Sequence, residues 1–146
     1  MREVLQGLLN SWQTSRPDVA LELICPHDLS ILDESISLTA FRVVQESITN
    51  IFRHANANSA RIRVELGSTG PSSSSEIEAE CAPALLITIE DNGVGIPTQP
   101  TLGLGLMGMR ERVQALGGSI SMDRRAIGGT RIAVSLPLPN DDEDEP

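Results

Sequence analysis

At 146 residues the chain is long enough for one ordinary domain with its own core. With 2 Phe, 1 Trp and no Tyr, that core has to be aliphatic, built on Leu, Ile and Val. The net charge of −9 argues against nonspecific binding to nucleic acid or an anionic membrane surface, although part of it sits in the terminal run Asp141-Asp142-Glu143-Asp144-Glu145, which reads as a solvated tail.

Met1, Val4, Leu5, Leu8, Leu9 and Trp12 recur at helical spacing, so the chain opens with an amphipathic helix that stops by Pro17. Val19, Leu21 and Leu23 alternate with Ala20 and Glu22 and predict a strand ending near Pro26. Asp33 is placed to cap a long second helix that runs to about Ala55, with Phe41, Val44, Ile48, Ile51 and Ala55 as its core face. Ala60, Ile62, Val64 and Leu66 alternate with Arg61, Arg63 and Glu65, the pattern of a strand with one wet face. Residues 67–83 are rich in Ser, Gly, Pro and Glu and read as a long flexible hairpin loop. Leu85, Ile87 and Ile89 form the next strand, which delivers Asp91. After a short connection over 97–102, Leu106, Met109, Val113 and Leu116 predict a third helix closed by Gly117-Gly118. Ile120 and Met122 mark a strand, Gly128-Gly129 a turn, and Ile132, Val134 and Leu136 the last strand. Strands with one buried and one exposed face are satisfied by a two-layer α/β sandwich: a mixed, mostly antiparallel sheet with helices on one face.

Cys25 and Cys81 lie far apart, without the spacing of a zinc site or a disulfide framework, which points to a reduced, cytoplasmic compartment. No apolar run approaches the roughly 18 residues of a membrane span. Met1 leads straight into a helical pattern rather than a signal peptide, and such a start suggests a piece of something longer.

Chemistry concentrates in a few places. On the second helix Glu46 and Asn50 sit four apart, with Arg53 and His54 a turn further on, so the group shares a face turned away from the apolar stripe. A carboxylate and an amide there can hold Mg²⁺, which prefers oxygen ligands and keeps several waters; the same spacing also fits a solvated polar face. Asp91-Asn92-Gly93-Val94-Gly95 follows a strand, and Gly103-Leu104-Gly105-Leu106-Met107-Gly108 opens a helix. Glycines allow a backbone to approach a ligand closely, and a helix N-terminus suits phosphate. Each segment also fits an ordinary turn, as does Gly128-Gly129-Thr130. His27 reads as a surface loop residue, and both cysteines as inert.

The order of these segments resembles the GHKL ATPase superfamily. Val44-Gln45-Glu46-Ser47-Ile48-Thr49-Asn50 resembles its N box, Asp91 to Gly95 its G1 box, Gly103 to Gly108 its G2 box, and Gly128-Gly129-Thr130 its Gly-Thr motif. Phe41-Arg42-Val43-Val44-Gln45-Glu46 through Arg53-His54-Ala55, and Gly108-Met109-Arg110-Glu111-Arg112-Val113 with Ala115-Leu116-Gly117-Gly118, narrow the resemblance to bacterial sensor histidine kinases of the nitrate- and hexose-phosphate-sensing kind.

The resemblance implies the Bergerat fold and an ATP-binding catalytic domain over 1–138; the acidic run beyond it reads, from composition, as a disordered tail over 139–146. The resemblance also implies ATP and Mg²⁺ as ligands. Asp91 would accept from the adenine amino group, Gly93 and Gly95 would let the backbone pass the base, and Thr130 would back the pocket. Asn50 would ligate Mg²⁺, and Glu46 would position the reacting group. Gly103, Gly105, Leu106 and Gly108 would shape a phosphate loop leading into the third helix, with Arg53 and His54 as phosphate neighbours. A short lid holding Pro97 and Pro100 would leave the γ-phosphate open to a partner. Neither His27 nor His54 sits in a phosphoacceptor motif, so the chain is not expected to autophosphorylate alone. Its partners would be a histidine-bearing dimerisation domain of a parent kinase anchored in the inner membrane and, through it, a helix-turn-helix response regulator. The domain itself would be monomeric and would bind no nucleic acid. A free-standing serine kinase of the anti-sigma type, and a degenerate module that only docks partners, are the alternative readings.

Overall fold

Strand alternation and helical periodicity meet in one sheet lined by helices. The structure, a computed structural model, describes residues 1–30, 32–52, 58–69, 82–93, 104–125 and 128–139. In chain order the elements are α1 (Arg2–Ser15), β1 (Ala20–Ile24), α2 (Glu34–Asn50), β2 (Ser59–Thr69), β3 (Ala82–Asp91), α3 (Leu104–Ala115), β4 (Ser119–Arg124) and β5 (Thr130–Pro137). The five strands lie in the order β1-β2-β3-β5-β4, with β1 and β2 parallel and every other pair antiparallel. This is the expected mixed α/β sandwich, and it puts β3 in the middle.

Register gives the sheet two unlike faces. Leu23, Ile62, Ile89, Ile132 and Met122 stand opposite one another across all five strands. Val64, Ile87, Val134 and Ile120 form the next apolar row. Leu5 and Leu9 of α1, Val43, Val44 and Ile48 of α2, and Met109 and Val113 of α3 close over these rows as one buried cluster. A slip of one residue would turn every such side chain to water, so burial pins the pairing. On the other face the row reads Glu22, Arg61, Glu90, Arg131 and Asp123, alternating in sign from edge to edge.

The helix ends follow their local chemistry. Asp33 caps α2 as expected, its Oδ1 accepting from the Ile36 N–H at 2.8 Å. At the end of α3, Gly117 takes a φ of 78°, its N–H bonding Gln114 O while the Gly118 N–H reaches Val113 O. That pair of bonds is a Schellman closure, which needs the left-handed residue glycine supplies.

Three expectations are corrected. The core face of α2 runs through Ile36, Ala40, Val43, Val44, Ser47, Ile48 and Ile51, and Phe41 is only half-buried at its margin. The hairpin arms extend further than the composition of 67–83 suggests, because Gly67, Ser68 and Thr69 pair with Ala84, Pro83 and Ala82. Main-chain bonding between two paired strands is indifferent to their small polar side chains. Gly105 and Gly108 lie inside α3 rather than in a loop ahead of it. Glycine costs about 1 kcal/mol in a helix interior, and the burial of Met109 and Val113 on the following turns offsets that. The end of α2 near Ala55, the connection over 97–102 and the acidic tail fall outside the described residues.

Two glycine substitutions test how the backbone is constrained. Gly129 has a φ of +95°, and a Cβ there would stand 1.9 Å from the Asp91 carbonyl oxygen. Gly129→Ala is therefore expected to lose more than about 2 kcal/mol in urea unfolding. Gly7, in α1 with nothing within 4 Å of an added Cβ, should instead gain about 0.5–1 kcal/mol as Ala.

Candidate nucleotide site

The middle strand ends in a carboxylate. Asp91 is 4% exposed, the most buried acid among the described residues. Its Oδ1 accepts the Gly93 N–H at 2.8 Å, closing the local turn that Asp-Asn-Gly favours. The backbone N–H of Thr130, the first residue of β5, also bonds the carboxyl. Burial pushes the Asp91 pKa up from its ordinary 3.8; the N–H groups of Gly93 and Thr130 and the charge of Arg125 pull the other way. An ionised carboxylate has room for about four hydrogen bonds. Two donors among the described residues leave it capacity to accept from a ligand.

The turn that carries it is pinned from both sides. Asn92 Oδ1 accepts the N–H groups of Asn58 and Ser59, each at 3.0 Å, and the Asn92 N–H donates to Ser59 O at 3.2 Å. Asn92 Nδ2 also donates to Asn58 Oδ1. Asn58 in turn accepts the Ala20 N–H, so the start of β1, the start of β2 and the end of β3 are tied together. From the β5 side, Gly129 packs so closely on the Asp91 carbonyl that no side chain fits between them. Arg125 Nη1 donates to that same carbonyl at 2.8 Å.

On α2, Glu46 and Asn50 share a face and are half-buried. Asn50 Nδ2 is buried without a hydrogen-bond partner, the one such side-chain atom among the described residues. Unpaired buried amides are costly and rare. Because the two ends of an amide are assigned from the bonds around them, an Asn with an open end suits either a phosphate acceptor or a hard cation. Among the described residues no group of three His, Cys, Asp or Glu is arranged to hold a metal. Mg²⁺ does not need one, since it keeps several of its waters.

The described residues thus bring Asp91, Gly93 and Thr130 together and set Glu46 and Asn50 side by side on α2. Gly105 and Leu106 stand in the first turn of α3, whose N–H groups have no partner within the helix, and Gly108 lies a turn further along with nothing within 4 Å of an added Cβ. Arg53, His54, Gly95 and Gly103 lie outside the described residues, as does the Pro97–Pro100 connection. Asn92, Asn58 and Arg125 were missed as site residues by sequence reasoning. Asn92 lies within the recognised Asp-Asn-Gly turn, but the partner of its side chain is 34 residues away; nothing local marks Arg125 at all.

Comparison with known proteins shows the family. Residues 36–140 match the family described as histidine kinase-, DNA gyrase B-, and HSP90-like ATPase. The chain is 34% identical over 138 residues to the signal transduction histidine-protein kinase/phosphatase UhpB of Salmonella typhimurium, covering 94% of this chain and 24% of that protein. To the nitrate/nitrite sensor protein NarQ of Escherichia coli it is 32% identical over 142 residues, covering 93% and 21%. The chain therefore spans about a quarter or less of the length of these curated relatives. Among solved structures, the ATP binding domain of PrrB from Mycobacterium tuberculosis aligns with a TM-score of 0.63 at 24% identity, covering 94% of this chain and 93% of that one. The histidine kinase domain of the blue-light activated kinase of Erythrobacter litoralis EL346 aligns at 0.63 and 24%, covering 93% and 58%. These structural likenesses bear on the fold.

Asp91 also sets a pH dependence. Its folded-state pKa is raised, so the folded chain holds the proton more tightly than the unfolded one. Its contribution to stability is greatest below the ordinary 3.8 and fades as pH rises through the folded-state pKa. Urea unfolding at a series of pH values should show wild-type stability falling relative to Asp91→Asn across that window; a flat difference would contradict it.

Proposed function

The chain belongs to the histidine kinase-, DNA gyrase B- and HSP90-like ATPase family as a histidine kinase-type ATPase catalytic domain, and from that premise we propose that it binds Mg-ATP and donates the γ-phosphate to a histidine on a dimerisation domain outside this chain. The observation that carries the reading is the buried Asp91 carboxylate, held at the end of the middle strand with acceptor capacity to spare. Asp91 accepts the adenine amino group, and Gly93 and Gly95 let the backbone run close to the base. Thr130 closes the back of the pocket, where it is 8% exposed. Guanine offers an oxygen where adenine offers a donor, so a site built on this bond rejects it.

On α2 the Asn50 amide would hold Mg²⁺ through its oxygen, and Glu46 would orient the reacting groups. When bound, the cation spreads the charge that builds on the transferred phosphoryl group. Gly103, Gly105 and Leu106 receive phosphate around the start of α3, where Gly108 leaves room on the helix surface, with Arg53 and His54 beside it. The phosphoryl group then passes to the partner histidine and on to a response regulator. The parent protein is a sensor anchored in the inner membrane with this domain, a monomer by itself, on the cytoplasmic side; no helix among the described residues is long and apolar enough to cross a membrane. Sensor kinases among the relatives favour this reading over a free-standing serine kinase or a docking module.

Calorimetric titration with a non-hydrolysable ATP analogue tests it. Saturable, adenine-preferring binding is expected, weakened more than about tenfold in Asp91→Ala, with the Mg²⁺ dependence lost in Asn50→Ala. No binding by the folded wild-type chain would overturn the reading. With ATP alone the chain should take up no phosphate; supplied with its dimerisation helices, it should label their histidine and not a histidine-free variant of them.

A further inference from the structure

The last residue of β3 paired to β5 is Glu90, opposite Arg131. The Asp91 carbonyl therefore lies just beyond the ladder, where a buried backbone acceptor needs another partner. Arg125 supplies it, Nη1 donating at 2.8 Å. The guanidinium is itself held: Nε lies 3.5 Å from Glu90 Oε2, and Glu90 Oε1 is 4.0 Å from Arg131. The Arg125 side chain is only 23% exposed. Its backbone forms the base of the β4–β5 turn, its N–H donating to Gly129 O and its carbonyl accepting from Gly128 N. Clamp and turn thus converge on one peptide, the one that carries the buried carboxylate.

We propose that Arg125 is a positioning residue for base recognition: braced by Glu90, it fixes the Asp91 peptide, hence the direction of the carboxylate, and so sets the strength of the preference for adenine. The inference rests on the assignment of Asp91 to the adenine amino group made above. Arginine is suited to the task because a rigid fork reaches a carboxylate and a carbonyl at once, which the single ammonium of lysine does less well. The alternating row of charges on the open face of the sheet gains a purpose at this point. Exposed ion pairs contribute little stability, but Glu90, flanked by Arg61, Arg125 and Arg131, keeps the clamp aligned beneath the site.

A purely structural Arg125 would weaken all nucleotides alike; a positioning Arg125 acts on the bond to the amino group. The test is the ratio of affinities for ADP and for purine riboside diphosphate, which lacks that group, measured by calorimetry on the wild type, Arg125→Met, Arg125→Lys and Glu90→Gln. The ratio should fall about tenfold in Arg125→Met and recover in part in Arg125→Lys. Glu90→Gln, which loosens the guanidinium without touching the turn, should lower it about threefold and carries the test if Arg125→Met does not fold. A wild type that prefers ADP beside folded variants with an unchanged ratio overturns the inference while leaving the Asp91 assignment standing. A wild type with no preference overturns the assignment itself and this inference with it.

Discussion

A carboxylate removed from water at the end of the middle strand is the constraint on which the rest depends. Ionised and unpaired, such a group would be untenable in an aliphatic core. Asp91 is tolerated because donors are brought to it: the Gly93 N–H from its own turn, the Thr130 N–H from β5 and the field of Arg125 from the β4–β5 turn. Thr130 and Arg125 come from stretches distant in the chain, so the carboxylate is fully held only when the sheet is assembled. The same geometry leaves it able to accept from a base. On the proposed assignment, stability and recognition pull against each other at this residue: the burial that raises the free energy of its charge also makes a mismatched ligand costly.

The sheet makes that arrangement possible by keeping its two faces chemically distinct. Apolar rows such as Leu23, Ile62, Ile89, Ile132 and Met122 lock the register against the helices. With the register locked, the residues between them fall into a charged row one step away, and Glu90 arrives next to Arg125 and Arg131. The parallel pairing of β1 with β2 matters too, because it brings the Ala20 N–H to Asn58, whose neighbour Asn92 follows the critical carboxylate. Helix α2 repeats the two-faced logic. Its inner face packs Ser47 against Met109 of α3, the hydroxyl 3.9 Å from the sulfur, and Glu46 and Asn50 border that face half-buried, the Asn50 Nδ2 without a partner among the described residues. At the far end of α1, Trp12 stacks on Phe52 with ring centroids 4.6 Å apart and Arg16 over the same ring. The opening helix is thereby fastened to the turn that follows Asn50.

Much of this was legible in the sequence, and for a physical reason: local periodicity and local turn chemistry act over a few residues. The alternation of Ile62 and Val64 with Arg61 and Arg63 determined a two-faced strand, Asp33 determined a capped start for α2, and Gly117-Gly118 determined the stop of α3. The helical spacing of Glu46 and Asn50, and the Asp-Asn-Gly turn after Ile89, were likewise open to reading in order, and that order pointed to the family. What the tertiary structure alone decided is what depends on separated chain segments meeting. Strand order put β3 in the middle, main-chain pairing carried β2 and β3 through a polar stretch that composition assigns to a loop, and packing on Met109 and Val113 drew Gly105 and Gly108 into a helix. Above all, only the assembled sheet brought Asn58 to Asn92 and Arg125 to the Asp91 carbonyl, each 34 residues away in sequence, because a hydrogen bond between distant residues leaves no periodic trace in the chain.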